Sequence, residues 1–180
     1  MLISKLKRKE NIAEYLIYMW QIEDQIRALN LDINLIDKHI ISKYNHPEAL
    51  KAEIKEWYEN LILLMTNEGI TKEGHLQITK NILSDLHNTH LYLLQTASEI
   101  KYQSLYYQAK TDLDALKQKT KKDGDIEACF QFLYGTMLLR LKGDKLKTGT
   151  EESLKKIASL IALLSKKHLD IEAGNSEIKL

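Results

Sequence analysis

The stretch YLIYMWQIEDQIRAL, Tyr15 to Leu29, decides the fold class of this chain. Placed at the 3.6-residue spacing of an α-helix, its first half is apolar on nearly every side. A helix of this kind is normally central in a helical protein or lies in an interface. We therefore predict a first helix from Lys9 to Ala28 with few fully exposed positions. Three charged side chains, Glu23, Asp24 and Arg27, interrupt the apolar surface.

These three charges have two interpretations. Glu23 and Asp24 lie four and three residues before Arg27, so either carboxylate can reach the guanidinium on one face of the helix. Arginine is the usual partner in buried carboxylate pairs, and the chain has only three arginines, Arg8, Arg27 and Arg140. We predict that Arg27 is largely buried and pairs with Glu23 or Asp24 as a structural lock. A ligand site is the alternative.

Helical spacing recurs along the whole chain, and sustained apolar/polar alternation typical of strands is absent. The sequence therefore predicts an all-α protein, a single compact bundle of about seven helices spanning residues 1–180, with frayed ends near 1–7 and 172–180. One domain is also the usual expectation for a chain of 180 residues. Seven glycines and one proline provide few internal breaks.

Capping residues predict the boundaries of the second and third helices. A short second helix should follow Asn30 or Asp32 as its N-cap and end near Tyr44. Pro47 is predicted at the first position of a third helix, where its missing N–H costs nothing. Gly69 should end that helix, because glycine adopts positive φ easily. The predicted apolar face of the third helix consists of Leu50, Ile54, Trp57, Leu61 and Leu64.

The second half of the chain holds four more predicted helices. The fourth begins between Thr71 and His75 and ends near Gln95. Thr96 and Glu99 resemble a capping box that starts a fifth helix, which continues to about Lys119. The polar segment Lys119–Asp125 is predicted as a loop. A sixth helix carries Ile126, Phe130, Leu133, Met137 and Leu141. The last begins at Thr150 and carries Leu154, Ile157, Ile161, Leu164 and His168.

Composition excludes several classes of protein. The formal net charge is +1 and the charges are mixed along the chain, so no nucleic-acid-binding or membrane-binding surface is indicated. The basic runs Lys5–Lys9 and Lys117–Lys122 are interpreted as solvated ends. The single cysteine allows no internal disulfide. No apolar run reaches the length of a membrane span, and the N-terminus lacks a signal peptide pattern. We expect a cytoplasmic protein.

Motifs for catalysis and cofactor binding are missing, and we predict neither a cofactor nor a bound metal. A di-iron helical protein would carry Glu-x-x-His motifs, and none occurs. Asp85, His87 and His90 could begin a metal site, but Asp85 points away from His87 by about 200°. We interpret His90 as a hydrogen-bonded histidine at the edge of the core.

Five other residues of chemical interest have plainer explanations. His75, near the start of the fourth helix, could act as an acid or base, or it could serve a capping or surface role. Cys129 is interpreted as a core residue, since nothing nearby would activate its thiol. The tyrosine patch Tyr102, Tyr106 and Tyr107 could line a ligand groove or an interface, or pack half-buried between helices.

Four segments in order resemble a bacterial family of small all-helical proteins classed as a domain of unknown function. They are KRKENIAEYLIYMWQIEDQIRAL (7–29), EIKEWYENLILLM (53–65), EGHLQITKN (73–81) and ACFQFLYGTMLLRLK (128–142). The resemblance covers nearly the whole chain and implies an all-helical cytoplasmic protein. It transfers no catalytic or binding residues.

Two functions fit these observations. The first is a non-enzymatic helical protein that binds itself or an unknown protein partner, with a homodimer through helix one or the tyrosine face of helix five. The second is a protein that binds or converts a small metabolite in a polar pocket between helices. The candidate residues for that pocket are Glu14, Glu23, Asp24, Arg27, His75 and Arg140.

Overall fold

The computed structural model describes residue 8 and residues 10–120 and 124–174, and within them every regular element is helical. The prediction of an all-α fold is therefore confirmed. The elements are α1 (Ile12–Ala28), α2 (Ile33–His39), a 3-10 helix (Ile41–Lys43), α3 (Glu48–Asn67), α4 (Gln77–Gln95), α5 (Ile100–Thr120), α6 (Asp125–Leu141) and α7 (Thr148–Glu172).

Contacts between Cα atoms divide the chain into two units. Unit 1 contains residues 14–81 together with the described residues before 11, and therefore most of α1, all of α2 and α3, and the start of α4. Unit 2 contains residues 11–13 and the described residues from 82 onward, and therefore most of α4 with α5, α6 and α7. The single domain over residues 1–180 stays a prediction.

In unit 1, most of the large apolar side chains of α1 are buried. They are Tyr15, Leu16, Met19, Trp20, Ile22 and Ile26, each at most 6% exposed. The expected burial of the first helix is thus confirmed. The 3-10 helix contacts both α2 and α3, and α2 also contacts α3.

The buried face of α3 differs from the predicted one. Its buried residues are Ile54, Tyr58, Leu61 and Met65, whereas Leu64 is 44% exposed and Leu50 and Trp57 are half-buried. Both faces contain Ile54 and Leu61 and both repeat at helical spacing. Because residues 61–65 are all apolar, spacing alone could not choose between the two faces.

Helix ends in unit 1 follow the predicted chemistry. The Asp32 side chain caps α2 by accepting the Asn34 N–H at 2.8 Å. Pro47 is the residue before α3 rather than its first residue. Gly69 adopts a φ of +69° and ends α3 in a Schellman motif, in which its N–H and that of Ile70 bind carbonyls of the last turn.

In unit 2, α5 contacts α6 and α7, and α6 contacts α7. The core of this unit is apolar and aromatic: Leu86, Leu93, Tyr102, Ala109, Leu113, Ile126, Phe130, Ile157, Leu160 and Leu164 are all at most 1% exposed. Of the stripe predicted on the last helix, Ile157, Ile161, Leu164 and His168 are buried.

The predicted break near Thr96 is confirmed, but the capping box is not. The Thr96 hydroxyl donates to the Tyr92 carbonyl at 2.8 Å, and the Glu99 carboxylate pairs with Lys167 at 2.6 Å. The reason is that α5 begins at Ile100. Glu99 therefore precedes the helix and cannot occupy its third position, as a capping box requires.

The remaining boundaries shift by a few residues. Helix α4 begins at Gln77, later than predicted, and α7 begins at Thr148, two residues earlier. The predicted start of the first helix at Lys9 lies outside the described residues, as do the centre of the predicted loop at 121–123 and most of the predicted frayed ends. Helix α7 continues to Glu172.

Candidate functional site

Arg27 ties the last turn of α1 to the segment between α3 and α4. Its Nη1 donates to Asp24 Oδ1 at 2.9 Å. Its Nε and Nη2 donate to the Ile70 carbonyl at 3.3 and 3.2 Å, and Nη2 also donates to the Gly74 carbonyl at 2.5 Å. The side chain is 13% exposed. The predicted pairing of a largely buried Arg27 with Asp24 is confirmed, and every nitrogen of the guanidinium has an acceptor.

Glu23 has a different set of partners. It is fully buried, its Oε2 lies 2.6 Å from His75 Nδ1, and its Oε1 accepts the Leu76 N–H at 3.1 Å. Leu76 directly precedes α4, so the carboxylate lies at the positive end of that helix. Glu23 thus fixes the start of α4 against α1.

The His75 ring stacks on Trp20. The two ring centroids are 4.1 Å apart and the planes are inclined by 14°. Trp20 is 2% exposed, whereas the His75 side chain is 31% exposed. The second ring nitrogen of His75, Nε2, has no hydrogen-bond partner among the described residues. Trp20, Glu23 and His75 together are called the Glu23–His75 site below.

The backbone between α3 and α4 is shaped to meet these side chains. Gly74 has a φ of +92°, and a Cβ there would lie 3.4 Å from the Ile70 side chain. Only glycine adopts this conformation without strain. The turn presents the carbonyls of residues 70 and 74 to Arg27 and then directs His75 toward α1. The position of His75 therefore depends on Gly74 and Arg27 together.

Four of the six predicted pocket residues come together in unit 1: Glu23, Asp24, Arg27 and His75. Glu14 is exposed in the first turn of α1, about 14 Å along the helix axis from Glu23. Arg140 belongs to unit 2, where it is exposed in the last turn of α6. Its inclusion in the predicted pocket stays a prediction.

His90 is a core histidine, as predicted. It is 2% exposed, and its Nδ1 lies 2.6 Å from the Tyr102 hydroxyl. Burial lowers the pKa of His90 to about 4, although Asp125 acts in the opposite direction. Asp85 is exposed. In the part of the chain that the structure describes, no three His, Cys, Asp or Glu side chains are placed to hold a metal ion.

A polar network between α5 and α6 escaped the sequence analysis. Tyr106 donates to Asp125 Oδ2 at 2.7 Å, and Lys117 pairs with Oδ1 at 2.5 Å. Burial opposes ionisation of Asp125, but the hydrogen bonds from Lys117 and Tyr106 outweigh it and lower its pKa. The only available signal was the predicted turn before Asp125, which brings the start of α6 back toward α5.

The tyrosine patch is divided between core and surface. Tyr102 and Tyr106 are buried, whereas Tyr107 is 70% exposed. Cys129 is fully buried, as predicted, and burial raises the pKa of its thiol. Since only the thiolate is nucleophilic, Cys129 serves as a packing residue.

The fold and this arrangement define an all-α protein whose main polar cluster connects α1 to the start of α4. The chain belongs to the family described as Domain of unknown function (DUF4924), whose model matches residues 1–175. The predicted resemblance to a domain of unknown function is thereby confirmed. No curated protein and no solved structure matches the chain. Across the described helices, none combines the length and apolar character needed to cross a membrane.

Proposed function

We propose that this protein acts by self-association, forming a homodimer through an exposed face of α5. The observation that carries the proposal is the pair Ile100 and Tyr107, each 70% exposed and separated by two helical turns on one side of α5. Large apolar side chains exposed together on a protein surface usually mark an interface. Helix α1 supplies no such surface, because its large apolar side chains are buried or half-buried.

One exposed face of α5 is continuous and uncharged. An α-helix rotates by 100° per residue, and all exposed residues of α5 within one arc of about 100° lack a charge. We call this face the α5 stripe; it consists of Ile100, Ser104, Tyr107, Gln108, Thr111, Ala115 and Gln118. In a chain with 28% charged residues, five uncharged turns on the exposed face of a helix are typical of a surface that another protein molecule covers.

Three charged residues beside the α5 stripe have partners within unit 2: Lys110 pairs with Asp114 at 2.5 Å, and Asp112 pairs with Lys156 at 2.9 Å. Lys101 and Lys119, near the two ends of the helix, are exposed. Along the centre of the stripe a partner of opposite charge therefore gains little, whereas a second uncharged stripe fits. This favours another copy of the same chain over a charged partner.

The order of side chains along the α5 stripe suits an antiparallel pair related by a two-fold axis. With the axis near residue 109, the bulky Ile100 and Tyr107 of one copy face Gln118 and Thr111 of the other. A helix of this length buries roughly 300–400 Å² per copy, below the about 1,200 Å² total of stable complexes. The dimer is therefore reversible, with a Kd in the roughly micromolar range.

Sedimentation equilibrium of wild-type protein, Tyr107→Glu and Leu141→Glu tests the proposal. Tyr107→Glu places two like charges near the axis and should weaken the dimer by roughly tenfold or more. Leu141, which is 69% exposed on α6, is the matched control and should not change the Kd. A wild-type monomer at several hundred micromolar, or equal weakening by both substitutions, would contradict the proposal.

Cysteine cross-linking tests the register independently. Gln108→Cys lies next to the two-fold axis and should form an intermolecular disulfide under mild oxidation, since its two copies can approach within about 7 Å. Gln118→Cys faces Ile100 of the other copy and should not. Cys129 does not interfere, because it is buried. Equal cross-linking of both variants would rule out the antiparallel register.

A further inference from the structure

Glu23 determines which nitrogen of His75 carries the proton. A carboxylate can only accept hydrogen bonds. Glu23 accepts the Leu76 N–H on Oε1 at 3.1 Å and faces His75 Nδ1 with Oε2 at 2.6 Å. Nδ1 therefore donates, and the lone pair of the neutral imidazole lies on Nε2. In many hydrolases, a carboxylate orients an imidazole in this way and so prepares the histidine for proton transfer.

The His75 ring is both partly exposed and held in place. The His75 side chain is 31% exposed, and Nε2 has no partner in the described part of the chain. The ring cannot swing freely, since it is stacked on the buried Trp20 and bonded to the buried Glu23. A reactive group that is already oriented reacts without the cost of ordering it.

The surroundings of His75 limit the chemistry of a ligand. No metal-binding group of three side chains exists among the described residues. Anions are disfavoured because carboxylates occupy the N–H groups at the start of α4: Glu23 binds that of Leu76, and Glu68 binds that of Gln77 at 2.7 Å. All nitrogens of Arg27 are engaged as well. A neutral electrophile fits this setting better than a phosphate does.

We propose that His75 is a nucleophilic site for neutral acyl compounds such as esters. Nε2 attacks the carbonyl carbon, an Nε2–C bond forms, the C–O bond to the alcohol breaks, and the alkoxide leaves with its electron pair. The product of this step is an acyl-imidazolium, which Glu23 stabilises through Nδ1–H. Water then attacks its carbonyl carbon, and the Nε2–C bond breaks with its electron pair returning to Nε2. The proton that the water loses neutralises the alkoxide, so the products are the carboxylic acid, the alcohol and the neutral ring. The site lies within unit 1 and does not depend on self-association through α5.

The probe for this site is 4-nitrophenyl acetate, which releases coloured 4-nitrophenolate. Wild-type protein, His75→Gln, Glu23→Gln and His39→Gln are compared in the full-length chain. His39 is an exposed histidine at the end of α2 and reports the reactivity of an ordinary surface imidazole. Both His75→Gln and Glu23→Gln should lower the rate by roughly tenfold or more, since positioned proton-transfer groups contribute about 10²–10⁴-fold. His39→Gln should leave most of the rate unchanged.

Mass spectrometry of rapidly quenched wild-type protein locates the acetyl group without any variant. The proposal expects transient acetylation of the peptide that contains His75, decaying as acetate forms. It is overturned if acetyl groups occur only on lysines or equally on all exposed histidines, or if wild-type protein and His75→Gln release nitrophenolate at the same rate. The labelling result stands even if His75→Gln fails to fold.

Discussion

Two polar clusters, one in each unit, hold their charged side chains in different ways. In unit 1, Glu23 and Arg27 bind backbone groups of the segment between α3 and α4. In unit 2, charged side chains pair with one another across helices, as in the pair of Asp112 with Lys156. The first arrangement is buried, since Glu23 has no exposed surface. The second lies near water, with Asp112 and Lys156 side chains 23% and 43% exposed.

The difference predicts where charge matters for stability. A backbone N–H or carbonyl cannot move away when its side-chain partner is removed, and a buried polar group without a partner costs about 1–3 kcal/mol. A surface ion pair leaves both groups able to bind water, so its removal costs about 0–1 kcal/mol. Substitutions of Glu23 or Arg27 should therefore have much larger effects on the free energy of unfolding than substitutions of Asp112 or Lys156.

Glu23→Ala should have the largest effect. It leaves the Leu76 N–H and His75 Nδ1 without their acceptor and creates a cavity, which together should cost about 3–5 kcal/mol. Urea denaturation measures this loss. Gln25→Ala, an exposed position on the same helix, is the control and should change stability by less than about 0.5 kcal/mol. Similar values for the two variants would mean that the buried contacts of Glu23 do not stabilise the fold.

Acid should destabilise the protein through His90, the buried neutral histidine of unit 2. Its pKa is about 4 when folded, against 6.5 for an ordinary histidine, so between these pH values the unfolded state binds more protons. Stability is therefore full above pH 6.5 and falls as the pH decreases toward 4, by about 2–3 kcal/mol at pH 4.5. Urea denaturation from pH 7.5 to 4.5 measures the slope, which His90→Gln should reduce and His87→Gln should not.

Arg27→Lys tests whether geometry or charge is required in unit 1. A lysine keeps the charge, but its single ammonium group cannot reach Asp24, the Ile70 carbonyl and the Gly74 carbonyl together. We expect a loss of about 1–2 kcal/mol in thermal or urea denaturation. The matched change Arg140→Lys, at an exposed arginine of α6, should be nearly neutral. Equal effects would mean that Arg27 contributes only its charge.

Lys156→Ala should have the smallest effect. The pair with Asp112 is partly exposed and joins two helices that already contact each other. We expect a loss of less than about 1 kcal/mol, reduced further in high salt. Double-mutant cycles with Asp112→Ala at low and high salt measure the coupling. A coupling above about 2 kcal/mol would place this pair with the buried contacts of unit 1 and contradict the comparison.

The sequence predicted the features that depend on neighbours along one helix. Helical spacing predicted the all-α fold and the burial of α1, and the three-residue separation predicted the pair of Asp24 and Arg27. Local chemistry also predicted Asp32 as a cap and Gly69 as a helix end. In these cases the geometry is determined within a turn or two of the residue concerned.

Contacts between distant residues could not be predicted in this way. Glu23 and His75 are 52 residues apart, and nothing in either segment indicates the other. The buried face of α3 and the partner of Glu99 likewise depend on which helix packs nearby. For Glu23 the sequence indicated the nearby Arg27 as a partner. Glu23 is instead buried and binds the residues just before α4. Local spacing supplies possible partners, and packing selects among them.

The contacts of α1 with the segment that follows α3 have a consequence for the order of folding. They connect residues separated by 43 to 53 positions. During synthesis from the N-terminus, α1 leaves the ribosome well before its partners exist, so the Glu23 carboxylate must stay hydrated until His75 and Leu76 arrive. Contacts of long sequence separation form slowly because loop closure costs entropy. Closure of this segment onto α1 should therefore come late. If closure instead preceded the rate-limiting step, Gly74→Ala would slow refolding of unit 1 more than it speeds unfolding.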